Sequence, residues 1–207
     1  MSPEAVTEKG GETRKRIVET ARVAFTEHGY RSTSMTDLIA AAGVTKGGFY
    51  FHFASKAEVG VEVVRTEQAR LRGEVLAVAA EHERACDQIV AMVRALVPAI
   101  ETLKSTMGIE RLCADLRAEG VDDPAVVRPH AAWIGATAEL FARAQAEGDM
   151  RPDVDPHVAS LFAVGAFCGL ETLAAGDPAV ESRLGIPPDE FLRFVGAAVG
   201  LSAPALD

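Results

Sequence analysis

Lys46 and Lys56 stand ten residues apart in GVTKGGFYFHFASKAE (43–58), with Gly47, Gly48, Tyr50 and His52 between them. Ammonium groups, an imidazole and the hydroxyls of Ser34, Thr36, Thr45 and Tyr50 are donors of the kind that hold phosphate oxygens or read base edges. Hydrolytic chemistry finds no matching set, because no serine sits in a nucleophile elbow or has a His/Asp pair to accompany it. His82 and Cys86, four apart, are the best-spaced metal ligands, but a third and fourth are missing. Neither a metal nor a cofactor is expected, and metal or redox sensing stays an alternative resting on that pair. Cys86, Cys113 and Cys168 form no C-x-x-C motif and read as reduced, buried thiols.

The formal net charge of −9 argues against a polyanionic partner until its distribution is examined. Residues 1–56 carry eight Lys/Arg against six acids, a balance of +2, whereas the remainder carries 13 against 24, a balance of −11. Such a chain can bind nucleic acid only through a defined face near its start, since the rest repels phosphate. Hydrophobic residues make up 48% and aromatic residues 6%. With alanine abundant, that composition favours an all-α fold. MSPEAVTEKGGETRKR has no apolar stretch between its charges, and the apolar run 161–175 is too short for a bilayer. The expected location is cytoplasmic, with no membrane partner.

Helical periodicity and capping signals divide the chain into about nine helices. Ile17, Ala21, Ala24 and Phe25 place the first at 14–28, with Gly29 as its stop. Ser34 with Asp37 forms a capping box for a short second helix that ends at Gly43. Thr45 caps a third, 46–52, and Ser55 with Glu58 opens a fourth that runs to about Ala80. Further helices are expected at 84–104, 108–119, 125–147, 156–175 and 189–202, with breaks at Gly108, Gly120, Asp123-Pro124 and Asp155-Pro156. The expected division is a flexible arm at 1–12, a small N-terminal domain at 13–56, and a larger helical domain at 57–207.

Two short helices joined by Ala42-Gly43-Val44-Thr45 have the dimensions of a helix-turn-helix, whose second helix enters the major groove. At helical spacing Phe49 and Phe53 point toward the first two helices, while Gly47, Gly48 and Phe51 point the opposite way and Tyr50 and His52 lie on the flanks. Two glycines in so short a helix cost about 1 kcal/mol each relative to alanine, which close approach to DNA would explain. The DNA-binding set is therefore Ser34, Thr36, Thr45, Lys46, Gly47, Gly48, Tyr50, His52 and Lys56, with Lys46 placed to reach guanine O6/N7 and Lys56 to pair with phosphate.

FTEHGYRSTSMTDLIAAAGVTKGGFYFHFASKAEVG (25–60) resembles the DNA-binding domain of TetR-type repressors, through Gly29, Tyr30, Thr36, Gly43, Val44, Lys46, Gly47, Tyr50, His52, Phe53 and Lys56. Within that family TKGGFYFHFASK is most similar to the γ-butyrolactone receptors and pseudo-receptors, as are Trp133 and AQAEGDMRPDVDP (144–156). The resemblance implies a homodimer on a pseudo-palindromic double-stranded DNA operator, released by a small apolar effector of γ-butyrolactone type. Apolar stripes supply the effector-binding candidates Met92, Leu96, Ile109, Leu112, Cys113, His130, Trp133, Thr137 and Phe141. Two nearly all-apolar helices supply a dimer interface through Leu161, Phe162, Phe191, Phe194 and Val195. A helical small-molecule-binding protein or enzyme without DNA binding is the alternative from another class, and it leaves the capped segment 34–56 unexplained.

Overall fold

The computed structural model describes residues 3–101, 104–176 and 187–201. Among these the chain is all-helical, with ten helices: α1 (Pro3–His28), α2 (Met35–Ala41), α3 (Lys46–His52), α4 (Lys56–Ala79), α5 (Ala85–Glu101), α6 (Lys104–Ala118), α7 (Pro124–Val127), α8 (Ala131–Glu147), α9 (Pro156–Gly176) and α10 (Pro188–Val199). They form two units, Met1–Ala69 with Lys104–Pro129 and Arg70–Leu103 with His130–Asp207.

Four expectations change. Helix α1 already begins at Pro3, so most of the expected flexible arm is helical; Glu4, Ala5, Glu8 and Lys9 are good helix formers that offset Gly10 and Gly11. Met1 and Ser2 lie outside the described residues. Gly108 lies inside α6 rather than before it, where a Cβ would come within 3.5 Å of the Thr26 hydroxyl of α1. The helix expected at 125–147 is two helices, because the residue before Pro129 is pushed out of the α region: Arg128 has φ −135° and ψ 60°. Helix α6 also packs in the first unit, so the division is not the simple one at residue 56.

In the first unit, Ile17, Val18, Ala21 and Phe25 of α1 meet Leu38 of α2, Phe49 of α3, Phe53, and Val59, Val63 and Val64 of α4. Leu112, Cys113 and Leu116 of α6 and Val126 of α7 complete this core. Polar ties fix its edges. Tyr30 donates its hydroxyl to Glu119 at 2.7 Å, and Arg31 pairs with Asp115 at 2.7 Å. Burial, reinforced by the Glu119 carboxylate, pushes the Tyr30 phenol above its usual range.

In the second unit, Ile89 and Met92 of α5 pack with Leu140, Phe141 and Ala144 of α8, Ala159 of α9 and Val199 of α10. Arg84 binds both carboxylate oxygens of Asp149, at 2.5 and 2.6 Å, and the Glu147 carboxylate accepts from the backbone N–H of Ala85 at the start of α5. His82 lies in the turn before α5 and is exposed, whereas Cys86 is buried inside the helix. The pair therefore does not share a helical face, and the metal-sensing alternative loses the spacing it rested on.

Candidate nucleic-acid interface

The interface is assembled by caps whose partners are close in sequence. Ser34 Oγ accepts the Asp37 N–H at 3.1 Å while the Asp37 carboxylate accepts from the Ser34 hydroxyl at 2.6 Å. The same hydroxyl holds the Asp37 carboxyl below its usual range. Helix α2 stops in a Schellman motif: Gly43, at φ +61°, donates to Ala40 O, and Val44 donates to Ile39 O. Thr45 then caps α3 by accepting the Gly48 N–H at 3.0 Å. Arg16 of α1 reaches the Ala42 carbonyl at 3.1 Å and ties α1 to this turn.

These constraints divide the rings of α3 by side. Phe49 and Phe53 are buried, with ring centroids 6.2 Å apart, and Arg14 lies 4.9 Å from the centre of the Phe53 ring. Phe51 is 83% exposed and Tyr50 about half exposed. Gly47 is exposed, and a Cβ built there meets nothing within 4 Å; at Gly48 it would stand 3.1 Å from Thr45 Oγ1. Thr36, Thr45 and Lys46 are exposed and His52 is partly buried.

Most cations of this stretch already serve the fold. Arg14 pairs with Glu62, Arg16 with the Ala42 carbonyl, Arg22 with Glu19, and Arg31 with Asp115. Lys56 is turned inward: its ammonium donates to the carbonyls of Tyr30 at 3.0 Å and Thr33 at 3.2 Å and sits 4.2 Å from the centre of the Tyr30 ring. The geometry thus gives Lys56 a structural task besides the phosphate contact expected of it, and the Ser34 hydroxyl serves its capping box. Among the described side chains of residues 1–56, the lysines without an internal partner are Lys15 and Lys46, and Lys46 opens α3. Arg16 and the tie from Lys56 to the α1–α2 turn were missed by sequence reasoning, because bonds spanning more than twenty residues leave no local signal.

The effector-binding candidates separate. Met92, Leu96, Trp133 and Phe141 belong to the core of the second unit, while Ile109, Leu112 and Cys113 belong to that of the first, packed with α1 and α4. The stripes expected to enclose one cavity thus contribute to two cores: helical period marks their residues as apolar but does not say which core receives them. Thr137, on α8 between Trp133 and Phe141, is buried. His130 precedes α8 rather than lying on its face, with both ring nitrogens 3.6 Å from Cys168 Sγ. Of the dimer candidates, Leu161, Phe162 and Phe194 are exposed, Phe194 by 75%, and Val195 is partly buried. Phe191 is buried within its own chain, so it is a core residue instead.

Residues 17–63 match the bacterial regulatory proteins of the tetR family. Beyond that segment, the fold is similar to that of TylP, a TetR regulator from Streptomyces fradiae, with a TM-score of 0.70, 30% identity, and coverage of 95% of this chain and 89% of TylP. The chain belongs to the TetR family. This TetR-family transcriptional regulator is also similar to the A-factor receptor protein of Streptomyces griseus, 28% identical over 168 residues. That match covers 80% of the regulator but 56% of the receptor, so the chain spans little more than half of that relative's length. The HTH-type transcriptional regulator UidR of Escherichia coli is 27% identical over 175 residues, covering 82% of this chain and 86% of UidR. No described helix of the TetR-family chain is long and apolar enough to cross a membrane.

Proposed function

We propose that this regulator is a cytoplasmic repressor that binds a pseudo-palindromic operator as a homodimer and releases it when a small apolar effector enters the second unit. The observation that carries the reading is the outer face of α3, where Lys46, without an internal partner, stands beside bare Gly47 and Gly48 and the exposed Tyr50 and Phe51. A charged donor beside backbone with no side chains to obstruct it suits a helix that enters a major groove. Thr36, Thr45 and Tyr50 flank that face with hydroxyls for phosphate oxygens.

Dimerisation is supported by Leu161 and Phe162 of α9 and Phe194 of α10, large apolar groups left in water by a single chain. The effector proposal rests on Trp133, Thr137, Phe141, Met92 and Leu96. One hydroxyl, that of Thr137, among apolar groups favours a ligand that is mostly hydrocarbon with one carbonyl or hydroxyl. Together with the similarity to an A-factor receptor, this points to the γ-butyrolactone class. Helix α4 begins in the first unit and ends in the second, so an effector that prefers one setting of the second unit would act along α4 on the spacing of the two recognition helices. By linkage, operator DNA weakens effector binding by the same factor.

The test starts with sites selected from random DNA by the purified protein, then follows operator binding by fluorescence anisotropy while an alkyl-substituted butyrolactone is added. Release of DNA over the range that changes Trp133 fluorescence supports the reading, and loss of release in a folded Trp133→Ala variant places the effector. Failure to select any sequence would sink the repressor assignment. Selection without a butyrolactone response would cancel the effector class alone.

A further inference from the structure

We infer that Phe51 is a specificity-determining residue that reads the C5-methyl group of a thymine in the operator major groove, an inference that rests on the DNA-binding role proposed for α3. Isolated exposed apolar side chains are ordinary. Phe51 differs in where it stands. At 83% it is the most exposed of the large hydrophobic residues described, and it lies on α3 among groups already turned outward. At about 100° per residue, position 51 projects one turn after Gly47 and Gly48 and at an angle between theirs. Helical side chains lean toward the N-terminus, so the residues that would shield the Phe51 ring are both glycines. A Cβ at Gly47 would touch nothing, so its absence leaves open space beside the ring rather than relieving a clash within the chain. His52 braces the ring from the side, centroids 5.1 Å apart and planes at 83°.

A hydrocarbon ring presented to a major groove has one apolar partner on the base edges, the thymine methyl. Lys46 opens the same helix five residues earlier, about 7.5 Å along its axis at 1.5 Å per residue. With base pairs spaced by about 3.4 Å, the thymine lies about two or three pairs from the base that Lys46 reaches. The half-site is thus read by charge at one end and by a methyl group at the other. Net positive charge in residues 1–56, against the acidic remainder, suits a polyanionic occupant at this face, as DNA is.

The decisive experiment replaces each thymine of the selected operator, one at a time, by deoxyuridine, which removes only the methyl group. Wild-type protein is expected to lose about fourfold affinity at one thymine per half-site, the worth of one buried methyl group. Phe51→Ala should bind more weakly overall, melt like the wild type, and show no penalty at that thymine. A wild-type protein indifferent to every replacement, or a Phe51→Ala protein that keeps the same penalty, overturns the assignment while leaving operator binding intact. If Phe51→Ala weakens binding although no methyl group matters, the ring acts as a wedge between base steps and the methyl contact is wrong. A protein that selects no sequence overturns both this inference and the reading beneath it.

Discussion

Gly47→Ala separates the needs of the fold from those of the DNA, because the structure gives the glycine no internal reason to be there. Gly47 has ordinary helical backbone and is absent from the positive-φ glycines, and an added Cβ meets nothing within 4 Å. Replacing glycine by alanine inside a helix gains roughly 0.5–1 kcal/mol, and the lower end applies so near the start of α3. For a chain of this length that raises the melting temperature by about 1–3 °C. The same methyl group would stand between α3 and the base edges. If it spoils a contact of the Lys46 kind, operator affinity falls by about 1–3 kcal/mol, roughly tenfold for each 1.4 kcal/mol. Gly48→Ala serves as a contrast, since its Cβ would crowd the capping Thr45 hydroxyl at 3.1 Å and offset the gain. Calorimetric melts and anisotropy titrations on one preparation of each variant measure both effects. A Gly47→Ala protein that melts higher and binds the selected operator like the wild type would refute close approach as the reason for the glycine.

Lys46→Ala should fold normally and lose specific binding by about 1–3 kcal/mol, whereas Lys56→Ala should lose about 1–3 kcal/mol of stability through its two carbonyl bonds; equal melts for both variants would contradict that division. Phe194→Asp alters a side chain exposed in the single chain, so it should yield a folded monomer in sedimentation, and an intact dimer would remove α10 from the interface. Burial pushes the Cys86 thiol up to about 11 and the Cys113 thiol up to about 12, so iodoacetamide at pH 8 should spare both until the protein unfolds, as mass spectrometry of the labelled peptides would read. Because the unfolded thiols lose protons first, their contribution to stability is complete below the ordinary value of 9.0 and declines as pH rises toward about 11 and about 12; a denaturation midpoint that rises across that range in the wild type relative to Cys86→Ala and Cys113→Ala would contradict the sign.

What could be read from the sequence alone depends on neighbours within one helical turn or on helical period. The Ser34–Asp37 box, the Thr45 cap, the left-handed Gly29 and Gly43, and the split of Phe49 and Phe53 from Phe51 are all of this kind, and the fold bears them out. Period also marks which residues are apolar and buried, as it does for Met92, Cys113 and Phe141. It cannot name the surface they are buried against. Only the tertiary structure sends Ile109, Leu112 and Cys113 to the core around α1 and Trp133 to another, keeps Phe191 inside its chain while Phe194 faces water, and seats Gly108 against Thr26. The same holds for charge. A lysine beside a recognition helix looks available in the sequence, yet Lys56 is engaged by carbonyls 26 and 23 residues away while Lys46 is not. Such bonds depend on where distant segments meet, and that is decided by packing of the whole unit rather than by any local spacing.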